Sequence, residues 1–162
     1  MSLADRLVIL HQGTVSAVGE PRHLYESPPN RFVASFLGRS DILAAPVLKQ
    51  EPLTLRLGET PVEVNGRLEN GTLRSDDTEP VVHVRPEDVV VTSTGTTGAD
   101  IELPGTVRSV TDVGSRYDVH IRLASGDEVT ATRRGAPPVV DDHVVVGLDR
   151  QDLTLLPQQD PE

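Results

Sequence analysis

Apolar and polar positions follow two unlike patterns along this chain. In residues 4–40 a short apolar run, Leu7-Val8-Ile9-Leu10, meets the turn His11-Gln12-Gly13 and returns through Val15 and Val18 to Gly19. Gly13 is free to take a positive φ, so the pattern predicts a β-hairpin. Pro21 suits the first position of a helix, where its missing N–H costs nothing. Residues 22–27 continue that helix and Pro28-Pro29 end it. Asn30 is a good N-cap for a second helix over residues 31–37. Phe32, Val33, Phe36 and Leu37 fall on one face of it, and Gly38 is its predicted C-cap.

From residue 42 the period shortens to two. Leu53, Leu55 and Leu57 alternate with polar residues, Val62 and Val64 flank Glu63, and Asn65-Gly66 and Asn70-Gly71 are hairpin-type turns. Residues 81–85 alternate and stop at Pro86, followed by a short strand over 89–92. Residues 93–99 read as a soft linker that divides the β region into two sub-barrels. Residues 106–113 form a strand whose phase slips at Ser109-Val110, the mark of a bulge. Tyr117, Val119, Ile121 and Leu123 alternate with Asp118, His120 and Arg122. Strands over 128–132, 144–148 and 153–156 complete a mainly β small barrel or sandwich.

Composition narrows the function. The chain has 162 residues, with 15 Lys+Arg against 25 Asp+Glu, a formal charge of −10. Such a surface repels phosphate backbones and disfavours nucleic acid as a partner. Absence of Cys removes disulfides, thiolate metal sites and cysteine nucleophiles. Aromatic residues are only 2%, so the core must be built from Val and Leu. No apolar run approaches the roughly 18 residues of a membrane span, and Asp5 and Arg6 interrupt the first apolar stretch, which does not read as a signal peptide.

Candidate chemistry is sparse. Arg85-Pro86-Glu87-Asp88 reads first as a strand end with a capped turn and a locally paired Arg85. Its second reading is a contact surface carried by Arg85 and Glu87. Asp112, Arg116, Tyr117 and Asp118 cluster around Gly114, either as a partner- or ligand-facing loop or as a hairpin tip in water. His11, His23, His83, His120 and His143 lack metal-ligand spacing and read as solvated or locally bonded. No serine carries a nucleophile elbow, so catalysis is read as absent and no metal or other cofactor is expected in this chain.

Residues 4–38 carry Ala4-Asp5-Arg6-Leu7, Gly13, Gly19, Pro21, Leu24-Tyr25, Pro28 and Phe32-Val33-Ala34-Ser35-Phe36-Leu37-Gly38 in order. This resembles the end of the nucleotide-binding domain of ABC importer ATPases. Gly38-Arg39-Ser40-Asp41-Ile42-Leu43 is similar to the junction that follows it in iron, polyamine and related importers. Val84-Arg85-Pro86-Glu87-Asp88, then Gly105-Thr106-Val107 to Gly114, then Leu148-Asp149 to Leu155-Leu156 resemble the transport-associated OB-like (TOBE) domain.

The resemblance implies an ATPase-domain remnant over 1–40, an OB-like TOBE domain over 41–157 and a tail over 158–162. It implies a regulatory and dimerisation role, with a second ATPase subunit and the transporter's membrane subunits as partners. The parent would use ATP and Mg and sit at the inner face of the cell membrane. No G-x-x-x-x-G-K-[ST] loop occurs here, so the expected chain is a C-terminal piece of a longer ATPase, with no ATP-binding residue of its own. A different class of function, sensing of the transported solute, a metal or a polyamine, is the alternative. The S-A-R-N-x-L-x-G pattern of molybdate sensors is missing, and an oligonucleotide-binding barrel would want a basic groove and stacking aromatics.

Overall fold

A computed structural model describes residues 4–50, 52–63 and 80–156. The turns at Asn65-Gly66 and Asn70-Gly71 and the tail over 158–162 lie outside the described residues. Strands β1 (Leu7–His11) and β2 (Thr14–Gly19) pair antiparallel. Gln12 and Gly13 both take positive φ at their turn, the hand that matches strand twist. Helices α1 (Pro21–Glu26) and α2 (Arg31–Leu37) follow. The Asn30 side chain accepts from the Val33 N–H at 2.9 Å, as its N-cap position predicts. Its amide nitrogen reaches the Ser16 hydroxyl at 3.2 Å, at the point where the β1–β2 register shifts. One residue thus caps a helix and ties it to the hairpin.

Ile9, Ala17, Leu24 and Val33 form a small core between hairpin and helices. The two helices that follow the hairpin cover its inner face. Val8, Leu10, Val15 and Val18 remain exposed on the outer face. In α2 the buried residues are Val33 and Ala34, while Phe36 is 62% exposed. The predicted stripe is rotated because Ala34 packs with Val81 and Leu156 of the β region.

The rest is mainly β. A five-stranded sheet has the order β11-β10-β9-β12-β8 and curls as a half-barrel. Its members are β8 (Val90–Thr92), β9 (Ile101–Asp112), β10 (Tyr117–Leu123), β11 (Glu128–Arg133) and β12 (His143–Leu148). A second sheet places β7 (Val81–Val84) between β3 (Asp41–Ala44) and β13 (Thr154–Leu156). A third joins β4 (Val47–Gln50), β5 (Leu53–Leu57) and β6 (Thr60–Glu63). All three sheets contribute to one core of Leu, Val, Ile and Ala, including Leu43, Leu55, Leu103, Ile121 and Leu148.

Three local expectations need correction. Residues 81–84 do not alternate: all four are buried, because β7 is the middle strand of its sheet. The bulge in β9 falls at Arg108, since Val107 faces Ile121 while Ser109 faces His120. Residues 93–99 do not divide the β region, because β8 and β9 lie in one sheet on either side of β12. That loop is pinned by Glu102, whose carboxylate accepts from the Thr97 N–H at 2.6 Å, the Thr97 hydroxyl at 2.7 Å, the Gly98 N–H at 3.1 Å and the Thr96 hydroxyl. These donors, led by the Thr96 and Thr97 hydroxyls, hold the Glu102 carboxyl down at about 2.

The pinned loop lies over Gly147 of β12. A Cβ at Gly147 would come within 2.7 Å of the Thr97 Cβ and 2.9 Å of the Ala99 Cβ. Thr97 is held by Glu102 and cannot swing away. Gly147→Ala should therefore destabilise the chain by about 1–3 kcal/mol through overpacking, read as a lower urea midpoint at unchanged m-value.

Candidate functional site

Side chains of the β region converge on the ends of both helices, and Arg85 is the centre of that joint. Arg85 leaves the end of β7, and its carbonyl accepts from the Asp88 N–H at 3.0 Å, closing a turn with Pro86. The Pro86 carbonyl accepts from the Thr132 N–H at 2.7 Å and fixes the turn against β11. The Arg85 side chain runs inward and is 3% exposed. Its guanidinium donates to the carbonyls of Tyr25 at 3.0 Å, Ala34 at 3.2 Å and Arg39 at 2.9 Å.

Those acceptors explain why an arginine is needed. Tyr25 lies in the last turn of α1 and Ala34 in the second half of α2. Carbonyls at helix C-termini lack intrahelical partners and carry partial negative charge. A planar fork of N–H donors can serve several such oxygens at once. The Tyr25 ring covers the guanidinium at 4.0 Å, which adds a cation–π contact. Burial pulls the Arg85 pKa below its ordinary value, and Tyr25, Glu87 and Asp88 oppose that shift.

Glu87 is exposed, and its carboxylate accepts from the Tyr25 hydroxyl at 2.6 Å. That bond, then burial, raises the Tyr25 pKa. Asp88 is pushed up to about 6, chiefly by burial and then by the nearby carboxylates of Asp152 and Glu87. Gly38 is the C-cap of α2, as predicted, with extended backbone at a φ of 168°. Its small size matters as well: a Cβ there would stand 3.1 Å from the Tyr25 ring and 3.3 Å from the Arg85 guanidinium.

The segment after Gly38 is pinned twice more. Arg39 forms an ion pair with Asp118, which is buried in β10. Burial alone would push the Asp118 pKa up. The Thr132 hydroxyl, donating at 2.8 Å, and the Arg39 guanidinium together outweigh it and hold the carboxyl below its usual range. The Asp41 carboxylate accepts from the Thr130 N–H at 2.6 Å. Burial raises its pKa, and the Thr130 bonds oppose that.

The six candidate residues therefore separate. Arg85, Glu87 and Asp118 meet the helical segment. Asp112, Arg116 and Tyr117 stay at the β9–β10 turn, where the Asp112 carboxylate accepts from the Gly114 N–H at 2.8 Å and the Arg116 carbonyl from the Val113 N–H at 3.0 Å. Local pairing of Arg85 is not what the structure shows, since its acceptors lie 46 to 60 residues away in sequence. The joint also uses Tyr25, Gly38, Arg39 and Thr132, which sequence reasoning did not single out as site residues. Tyr25, Gly38 and Arg39 stand inside the motifs that carried the family resemblance, and that was their only signal.

His83 also departs from expectation. It was read as solvated or locally bonded, yet it is 1% exposed in β7 with both ring nitrogens unpartnered. Burial, then the nearby Arg85 charge, lowers its pKa to about 4. Among the described residues no group of three or more His, Cys, Asp or Glu side chains is placed to hold a metal ion. No helix among them is long and apolar enough to cross a membrane.

Comparison with known proteins agrees with this layout. Residues 82–156, which begin just before Arg85 and end at β13, match the TOBE domain. A spermidine/putrescine import ATP-binding protein of Pseudomonas aeruginosa is 31% identical over 131 residues, covering 80% of this chain and 34% of that protein. A maltose/maltodextrin import ATP-binding protein of Photorhabdus laumondii is 36% identical over 132 residues, covering 76% of this chain and 33% of that protein. The chain thus spans about a third of the length of the curated relatives it matches. The cytoplasmic molybdate-binding protein ModG shares the fold, with a TM-score of 0.53 at 16% identity, over 72% of this chain and 96% of that one. The OB-like β architecture, the TOBE domain match over residues 82–156 and the similarity to importer ATP-binding proteins agree.

Proposed function

We propose that this chain is the C-terminal regulatory part of the ATP-binding subunit of an ABC importer. In this reading residues up to 40 continue the ATPase domain and residues from 41 form the regulatory β-domain. The observation that carries it is the Arg85 joint. A buried guanidinium, an ion pair from Arg39 to Asp118 and the Tyr25–Glu87 bond tie the two parts at several points. Movement of the ATPase tail is then passed to the β-domain as a rigid-body displacement rather than absorbed in a loose linker.

The regulatory act is mechanical. Two ATPase subunits close around ATP and part after hydrolysis. The β-domains of the pair hold the subunits together while the catalytic domains separate, and they bias the balance between the two states. ATP and Mg belong to the rest of the parent. Membrane subunits of the transporter are reached through the parent, which places the chain at the cytoplasmic face. Relatives named for a polyamine and for a sugar match at similar identity, so no solute is assigned.

Light scattering across a concentration series tests the tether. The expected result is a concentration-dependent dimer near twice 17.5 kDa. A monomer at every concentration, or a full-length parent that dimerises equally tightly without this segment, would refute it.

A further inference from the structure

A groove of about 370 Å³ lies on the five-stranded sheet where β9, β10 and β12 run side by side. Cross-strand register builds its polar rim. Thr106 of β9 faces Arg122 of β10 on one side and His143 of β12 on the other, and its hydroxyl lies 3.4 Å from the His143 Nδ1. Arg108 is the bulged residue of β9, with no opposite number on β10. A bulge re-aims the side chain it carries, and Arg108 lines the same groove as Arg122 and His143. The apolar part of its floor is Pro104 and Ala124, both exposed, while the Leu123 side chain lies in the core behind the sheet.

The charge of this groove opposes that of the chain. Two guanidinium groups and an imidazole meet there in a protein of formal charge −10. Arg122 is engaged by Glu128 at 2.7 Å, but both side chains are more than half exposed. An exposed ion pair of that kind is weak and readily exchanged. Arg108 has no hydrogen-bonded carboxylate among the described residues, and it shares the field of Glu128. Glu128 cannot neutralise both arginines, which leaves donor capacity facing solvent above an apolar floor. Arginine forks in that setting suit the oxygens of a phosphate or carboxylate.

We propose that this groove binds a small organic anion, with its oxyanion held by Arg108 and Arg122 and its apolar body on Pro104 and Ala124. Glu128 occupies Arg122 when no ligand is present and gives way when one binds. The overall charge of the chain favours cations, so the groove is a local exception created by register and bulge. The inference stands apart from the importer reading, and its failure would leave the Arg85 joint untouched.

The test is an amide-shift titration of the isotopically labelled full chain with phenyl phosphate, benzoate, inorganic phosphate and phenol. Saturable shifts confined to residues around Thr106, Arg108, Arg122 and His143 are expected. Phenyl phosphate or benzoate should bind more tightly than inorganic phosphate or phenol, and the better of the two identifies the oxyanion. Arg108→Ala, an exposed position at a bulge, should weaken binding at least tenfold with no change in melting temperature. Glu128→Gln should tighten it severalfold by releasing Arg122. Shifts that do not saturate, phenol binding as well as the anions, or an affinity unchanged by Arg108→Ala and by Arg122→Ala would each overturn the proposal.

Discussion

Arg85→Ala is expected to destabilise the chain by about 3–5 kcal/mol, the largest effect of any single change considered. The substitution leaves the carbonyls of Tyr25, Ala34 and Arg39 without their donor and removes the cation under the Tyr25 ring. Hydrogen bonds from a charged donor each contribute about 1.5–3 kcal/mol. The desolvation cost of the guanidinium disappears at the same time, so the loss is smaller than their sum. Arg85→Lys should recover little, because one ammonium cannot span three separated oxygens as a planar fork does. Urea unfolding of parent, Arg85→Lys and Arg85→Ala checks the order. Equal midpoints for parent and alanine variant would show that the helices are held by apolar contact alone.

The second large effect is a loss of stability in acid set by His83. Its pKa lies at about 4 in the folded chain against an ordinary value of 6.5. Below pH 6.5 the unfolded chain takes up a proton that the folded chain refuses. The stabilisation is therefore complete above 6.5, and it falls as pH drops through the window down to about 4. By pH 5 the loss amounts to about 2 kcal/mol. Asp88 works the other way: its folded pKa of about 6 lies above the ordinary 3.8. It contributes stability below 3.8 that is lost as pH rises through 6. Its carboxyl is only partly buried, so solvent screening shrinks that contribution.

His83→Leu isolates the histidine. The variant should match or exceed the parent at pH 7.5, because it removes two buried ring nitrogens without partners. It should then hold its urea midpoint down to pH 5 while the parent declines. Parallel decline in both chains would assign the acid sensitivity to the carboxylates instead.

Periodicity and turn chemistry made much of this fold readable. The hairpin turn at Gln12-Gly13, Pro21 at the head of α1 and Asn30 as a side-chain cap all follow local rules, and the structure obeys them. Strands β10 and β5 alternated visibly. What could not be read was set by partners distant in sequence. Strand β3 was missed because its partner β7 lies about forty residues further on, and nothing local marks four residues as paired. The long strand β9 was begun too late, because Pro104 and Gly105 look like breakers. In the sheet Pro104 is exposed opposite Val145, and Gly105 is needed where a Cβ would strike Ile121 at 2.6 Å.

The site was legible only in part, for the same reason. Arg85 was noticed through its place in a family motif, but its three acceptors are backbone oxygens, which no side-chain pattern reveals. Asp118 reads from the sequence as part of a partner- or ligand-facing loop or of a hairpin tip in water, and neither reading shows that Arg39, seventy-nine residues away, draws it into the joint. His83 sits on a strand covered on both faces, where alternation gives no warning of burial.

Hydrogen–deuterium exchange of parent and Arg85→Ala chains, resolved along the sequence, tests the joint itself. If Arg85 holds the helical segment to the β-domain, amides of α1, α2 and residues 38–41 will exchange at least tenfold faster in the variant, while β9, β10 and β12 keep their protection. Faster exchange spread evenly over every strand, or unchanged protection in α1 and α2, would contradict it.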